Sequence, residues 1–268
     1  MPHYDFRTAR IYLDAPLAGG NEVSLDREQA NYLLNVLRLS RGDALLLFNG
    51  RDGEWQAKLA GTGKRALTAE VGERIRQQPR PLDLHFLFAP IKHARLDYLV
   101  QKAVEMGASR LQPVITRHTQ VARVNLERMR ANAIEAAQQC GILTLPDVAE
   151  PVAFKSIAGT ADADRLLVFC DEDAEVADPV AALAAVRASA TALLPAEAAR
   201  QALQLAAPMA VLIGPEGGFA EEEREALLKR PNVVRIALGP RILRADTAAV
   251  AALALVQAVL GDWRGGSK

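Results

Sequence analysis

Two glycine-bearing loops near the end of the chain carry the residues best placed to do chemistry. LIGPEGGF (Leu212 to Phe219) and LGPRILRADTA (Leu238 to Ala248) each follow a short apolar run that reads as a buried strand, and each leads into a helix. Two such loops, about one βα unit apart, can line one pocket at the carboxyl edge of a parallel sheet, where open α/β sheets hold their ligands. The first loop is neither G-x-G-x-x-G nor G-x-x-x-x-G-K-[ST], which excludes the dinucleotide and P-loop fingerprints. Gly214, Gly217, Gly218 and Gly239 permit close backbone approach or positive φ; their plainer role is to make tight turns. The helix after the first loop opens on Glu221, Glu222 and Glu223. Three carboxylates suit the positive end of a helix dipole and make it a poor dock for phosphate. Backbone amides and carbonyls presented to a ligand of little negative charge, such as an adenosine without phosphates, fit better.

These loops need a sheet to hold them. Residues 1–74 read as β-rich, with strands at Arg10 to Leu13, Ala44 to Phe48, Glu54 to Leu59 and Ala66 to Val71, linked by glycine-containing turns. That pattern predicts a small barrel. Asp26 to Leu37 reads as a helix with Tyr32, Leu33, Val36 and Leu37 on one face. Residues 75–81 form the linker, marked by two prolines and two glutamines between Gln77 and Pro81. From residue 82 to 268 strands and helices alternate. The strands are Leu82 to Ala89, Leu111 to Thr116, Arg165 to Phe169, Ala210 to Ile213 and Val233 to Leu238. The helices are Ala94 to Met106, Asn125 to Cys140, Ala220 to Leu228 and Thr247 to Leu260. The class is α/β, a parallel sheet covered by helices. The alanine-rich stretch Ala174 to Pro208 reads as two further helices of a peripheral insertion. The last helix is apolar almost all round and must be buried, in a core or against another chain.

At 268 residues the chain is long enough for one large or two modest domains. Its formal net charge is zero, but the charge is unevenly spread. Residues 1–75 hold ten Lys/Arg against ten Asp/Glu, residues 76–135 ten against five, and residues 136–268 twelve against seventeen. The basic middle segment offers either a positive RNA face or ordinary solvated surface. Cys140 and Cys170 suggest neither a disulfide framework nor a zinc site, and no metal is expected. The N-terminal stretch has no apolar signal region. The longest apolar run, Ala248 to Leu260, is too short to cross a bilayer, so the expected location is the cytoplasm.

GPEGG and ILRADTA resemble the cofactor-binding loops of the SPOUT methyltransferases. Three further segments follow the same order: NYLLNVLRLSRGDALLLFNGRDGEWQA (Asn31 to Ala57), LDYLVQKAVEMGASRLQPVITRHT (Leu96 to Thr119) and EAAQQCG (Glu135 to Gly141). Over nearly its whole length the chain resembles the family of ribosomal RNA small subunit methyltransferase E. The resemblance implies a C-terminal SPOUT-type parallel sheet with a trefoil knot, preceded by a small PUA-like β-barrel that binds RNA. It also implies S-adenosyl-L-methionine as cofactor and a homodimer with the active site near the subunit interface. The implied reaction is methylation of uridine N3 in 16S ribosomal RNA, on the free RNA or the small subunit. Periodicity cannot reveal a knot, since knots are rare exceptions to the usual connection rules. Two alternatives stand: another SPOUT reaction such as ribose 2′-O-methylation, or a non-catalytic RNA-binding assembly factor.

Methylating N3 requires the base to lose a proton, the ring charge to be stabilised, and the sulfonium methyl to lie in line. Positioning and electrostatics supply most of that. The resemblance assigns cofactor binding to Leu212, Ile213, Gly214, Pro215, Glu216, Gly217 and Gly218 in the first loop. In the second it assigns Leu238, Gly239, Ile242, Leu243, Thr247 and Ala248. Arg244 is the first catalytic candidate, because a guanidinium offers a planar fork of donors to a uracil carbonyl or a phosphate. Its alternative is an ion pair with Asp246 or Glu216. Asp246, the second candidate, stands where the family usually has Glu; its alternative is to cap the last helix. Arg38 and Arg41 flank a turn, Arg117 follows a strand end, and these with Arg241 are the candidate RNA contacts. Lys102 and Glu105 are spaced for an ion pair as well as for function. Asn31 stands where the family often has His, and Ile142 where it commonly has Arg. No residue is assigned as the base, so hydroxide or water is left to take the N3 proton.

Overall fold

The computed structural model describes residues 7–63, 66–121, 123–159, 164–175, 177–192 and 207–264. They divide into two units. One holds the residues up to Arg80 together with Ile134–Leu145; the other holds Pro81–Ala133 and the residues from Pro146 onward.

In the first unit β1 (Arg10–Tyr12), β2 (Glu22–Leu25), β3 (Ala44–Phe48), β4 (Glu54–Gly63) and β5 (Ala66–Arg76) form one sheet in the order β1-β3-β4-β5-β2. β1 runs parallel to β3 and every other pairing is antiparallel. Register shifts in the β4–β5 pairing mark bulges, which bend long strands. Ile11, Val23, Leu45, Leu47, Leu59 and Val71 are among the apolar residues of its core. β2 was not expected, and β5 runs on to Arg76, past the anticipated end at Val71.

Asp26 starts α1 (Arg27–Asn31) through a capping box. Its Oδ1 accepts the Gln29 N–H at 2.8 Å, and Gln29 Oε1 accepts the Asp26 N–H at 2.9 Å. The helix then widens into a π-turn over Tyr32–Val36, where the Leu37 N–H donates to the Tyr32 carbonyl at 2.9 Å. This corrects the expected apolar face. An i→i+5 pattern takes residues three and four apart out of line, so Leu33 is buried while Tyr32, Val36 and Leu37 stay exposed. Arg38 follows in the left-handed region, with φ 57°.

The end of α3 (Leu126–Cys140) and the loop after it join this unit through backbone bonds. The Tyr12 N–H donates to Gln138 Oε1 at 2.7 Å, Arg76 donates to the Gly141 carbonyl at 3.0 Å, and Gln78 to that of Leu143 at 3.1 Å.

The second unit is built on a parallel sheet. Its strands are β6 (Leu84–Phe88), β7 (Arg110–Ile115), β8 (Asp147–Val148), β9 (Val152–Ala153), β10 (Leu166–Cys170), β11 (Met209–Ile213) and β12 (Val233–Ile236). They lie in the order β12-β10-β11-β6-β7-β8, with β9 paired to β7. All five residues of β11 are buried, as a parallel strand covered on both faces requires. The helices are α2 (His93–Glu105), the start of α3, α4 (Phe154–Ala158), α5 (Pro179–Ala192), α6 (Glu221–Leu228) and α7 (Ala245–Val259). α5 is one of the two helices expected in the alanine-rich stretch; the second falls on residues 193–206, outside the described residues.

The strand order decides where a ligand can go. β10 sits between β11 and β12, and Cys170 is level with both Ile213 and Ile236. Three strands therefore end side by side, and their loops emerge together at one edge. α7 buries Ala249, Ala252, Leu253 and Val256, while Val250, Ala251 and Leu255 on its other side are only half-buried. Gln257 is buried too; its amide donates to the Met106 carbonyl at 2.6 Å and accepts the Asp262 N–H at 3.1 Å. No helix among the described residues is long and apolar enough to cross a membrane.

Candidate active site

The level ends of β10, β11 and β12 open into a cleft of about 600 Å³, within the size range of small-molecule sites. Ile213, Gly214, Pro215, Glu216 and Gly218 line it from the first loop, and Leu238, Gly239, Ile242, Leu243 and Ala248 from the second. Arg241 and Arg244 share that lining. Leu212 lies behind it, fully buried in a cluster with Phe169 and Phe219. Gly217, Asp246 and Thr247 are not on the cleft wall. At Gly239, φ is 93° and no atom lies within 4 Å of where a side chain would start, so this backbone faces open space. Arg38 and Arg41 belong to the first unit, and Arg117 belongs to the second.

Arg95 from α2 also lines the cleft, and no local sequence signal marked it. Its guanidinium pairs with Glu216 and, at 3.3 Å, with Asp246. One cation therefore ties the first loop to the first turn of α7. This corrects the alternative reading of Arg244: the carboxylates named as its partners belong to Arg95. Arg244 is exposed and, like Arg241, makes no ion pair among the described residues. The capping alternative for Asp246 also fails, because the N-cap is Arg244 and Asp246 lies inside the first turn. Ile242 is 97% exposed, an apolar side chain on the cleft rim.

The end of β10 supplies a second group that sequence reasoning passed over: Cys170, Asp171, Glu172 and Ala174. The signal was present, since three acids follow a buried strand at the ligand-binding edge of the sheet. Asp171 is buried and held by Arg224 Nε at 3.1 Å and Arg235 Nη2 at 2.6 Å. Burial works against the charge on Arg224, but Asp171, Glu172 and Asp173 outweigh it and hold the guanidinium above its ordinary pKa. Burial, with Asp171 beside it, pushes the Cys170 thiol up to about 12. A thiol so placed is no nucleophile near neutral pH.

The first turn of α6 is occupied by the protein itself. Glu223 accepts the Ala220 N–H at 3.0 Å and the Arg117 N–H at 2.9 Å. Glu222 pairs with the Arg117 side chain at 3.3 Å, and Glu221 reaches Arg224 at 3.5 Å. His118 Nδ1 lies 3.0 Å from the Gly218 carbonyl oxygen. A helix start that carries three carboxylates in its first turn, one of them on the Ala220 N–H, is a poor dock for a phosphate. Lys102 and Glu105 form the simple pair, at 2.7 Å.

Two family models match the chain: an RNA methyltransferase domain over residues 78–257 and an RNA methyltransferase PUA domain over residues 25–72. Ribosomal RNA small subunit methyltransferase E of Synechocystis is 30% identical over 242 residues, 89% of this chain and 73% of that protein. The chain belongs to the ribosomal RNA small subunit methyltransferase E family. The Rickettsia conorii member is 29% identical over 249 residues, covering 92% of this chain and 94% of its own. The solved structure of the Neisseria gonorrhoeae member, bound to S-adenosyl methionine, is 26% identical with a TM-score of 0.76. That match covers 96% of this chain and all of the other. Both parts of the family's architecture are present here, a PUA-like domain and an α/β unit with a parallel sheet.

Proposed function

We propose that this protein transfers a methyl group from S-adenosyl-L-methionine to N3 of a uridine in 16S ribosomal RNA. The observation that carries the reading is the cleft where β10, β11 and β12 end level, with open backbone at Gly239 and an unpaired Arg244 on its wall. The cleft suits this cofactor: it is large enough, has no phosphate cradle, and its lining mixes apolar side chains with carboxylates that tolerate a cation. The two glycine-bearing loops would hold it, the first over Ile213 to Gly218 and the second over Leu238 to Ala248. Leu212 would support the site from the core, and Thr247 from α7. When bound, the cofactor supplies an electrophilic methyl group on its sulfonium sulfur.

Arg244 would donate to a uracil carbonyl beside N3, where negative charge grows as the base is deprotonated. Glu216 and Asp246 are engaged by Arg95, so neither is set to take the proton, and hydroxide or water removes it. Arg95 and Asp246 then act on position rather than on chemistry, by fixing one loop against α7. RNA would meet Arg38 and Arg41, exposed in the first unit and without an ion pair among the described residues, where the exposed Tyr32 offers a stacking surface. Arg241, on the cleft wall and without an ion pair among the described residues, would add a further contact; Arg117 must first leave Glu222.

On this reading residues 1–74 recognise RNA, the part of 75–81 that lies beyond the end of β5 at Arg76 links, and 82–268 carry out methyl transfer in a SPOUT-type knotted fold in the cytoplasm. The half-buried apolar side of α7 and the bare Ile242 support a homodimer. The test is transfer of labelled methyl to undermodified small subunits and to naked 16S RNA, followed by nucleoside mass spectrometry. The expected product is 3-methyluridine. A ribose 2′-O-methylated product would refute the assignment of N3.

A further inference from the structure

Two carboxylates on the cleft wall, Glu172 and Glu216, are engaged through one oxygen only among the described residues. Glu172 lies two residues beyond the end of β10, with its side chain 41% exposed. Its Oε1 accepts from Arg224 at 2.5 Å and from the Phe219 N–H at 3.3 Å, while Oε2 has no partner among the described residues. Asp171 lies between Arg224 and Arg235, and Glu216 holds Arg95 through Oε1 alone; of the two half-engaged acids only Glu172 is also fixed by a backbone N–H, that of Phe219. β10 is the immediate neighbour of β11 and ends level with it, so Glu172 stands alongside the GPEGG loop. The contact is close. Gly218 has φ 71°, and a side chain there would run into the Glu172 carboxylate.

In dinucleotide-binding sheets an acid beyond the glycine loop accepts a ribose hydroxyl; this chain lacks that fingerprint, but Glu172 likewise stands at a strand end beside a glycine loop. Hydroxyl donors to a carboxylate make strong, charge-assisted bonds. We infer that Glu172 recognises the ribose of the bound nucleoside, with Oε2 as acceptor and with Arg224 and the Phe219 N–H holding the carboxylate in place. This rests on the reading of the cleft as an S-adenosyl-L-methionine site. It makes Glu172 a specificity residue for the ribose, separate from the loops that would hold the adenine and the methionine.

Calorimetric titration of S-adenosylhomocysteine and its 2′-deoxy and 3′-deoxy counterparts tests it, in the wild-type protein and in Glu172→Gln. The wild type should prefer the parent over at least one deoxy ligand by roughly tenfold or more. Glu172→Gln should weaken the parent by a similar factor and shrink the preference to within about twofold. A structural role for Glu172 would weaken all three ligands alike and leave the preference intact; that result overturns the inference. A wild type indifferent to the hydroxyls overturns it without any variant, so a poorly folded Glu172→Gln cannot protect it. 5′-Methylthioadenosine, which keeps the ribose but lacks the amino acid, should show the same loss in Glu172→Gln. If that loss vanishes, Glu172 meets the amino group and the inference fails. No binding of S-adenosylhomocysteine to the wild type would instead refute the reading of the cleft.

Discussion

Among the described residues each unit buries a carboxylate between two arginines, and the two clusters end differently. In the first, Glu54 at the start of β4 is 1% exposed and is held by Arg10 of β1 and by Arg76 of β5, the latter at 3.2 Å. Those arginines donate further to the carbonyls of Gln138 at 3.4 Å and Gly141 at 3.0 Å. The cluster closes on backbone and ties strands to the end of α3. In the second, Asp171 is held by Arg224 and Arg235, and Arg224 continues outward to Glu172 and to Asp173 at 2.7 Å. That cluster ends in a carboxylate facing a cleft. A buried ion pair does not by itself mark a site, since structural networks are built from the same groups. Incomplete engagement at the carboxyl edge of a parallel sheet does.

The sharpest way to break this contrast is to neutralise both acids. Glu54→Gln should lower the free energy of urea unfolding by about 3 kcal/mol, because it takes a buried negative charge away from two arginines, and Asp171→Asn by somewhat less, because Arg224 keeps Glu172 and Asp173. Only Asp171→Asn should also weaken binding of S-adenosyl-L-methionine, and equal losses of binding would erase the distinction. A smaller effect is expected from Arg95→Ala. Freeing Glu216 and Asp246 should weaken cofactor binding by about tenfold, and Arg95→Lys should recover only part of it, lacking the fork that reaches both acids. Unchanged binding in the alanine variant would remove Arg95 from the account. The mildest test concerns the thiols, Cys170 buried at the foot of the Asp171 cluster and Cys140 exposed at the end of α3. At pH 8 iodoacetamide should label Cys140 and spare Cys170, whose thiol is pushed up to about 12. Peptide mass spectrometry showing both labelled at similar rates would mean that the edge of the cleft opens more readily than its packing implies.

Much of the second unit was legible because its signals are local. Runs such as LLVFC and MAVLI are continuous apolar strands, and the glycine loops after β11 and β12 interrupt them where the chain must turn. β2 was not legible: EVSL alternates correctly but is four residues long, with two polar positions. The π-turn over Tyr32–Val36 was misread because a spacing of three and four residues is the α-helical rule, and nothing local announces a change of pitch. Arg95 was invisible for another reason. Its partners Glu216 and Asp246 lie more than a hundred residues away, and only the fold brings them together. Glu172 is the intermediate case, an acid in a readable place whose engagement depends on Arg224 fifty residues further on.

The central claim is that Arg244, unpaired on the cleft wall, acts on the substrate and not on the cofactor. Single-turnover methyl transfer by Arg244→Ala, preloaded with labelled S-adenosyl-L-methionine and mixed with undermodified small subunits, tests it most directly. Transfer should slow by roughly a hundredfold or more, while the affinity for the cofactor stays within about threefold of wild type. Transfer at the wild-type rate would contradict the claim, as would a loss fully accounted for by weaker cofactor binding.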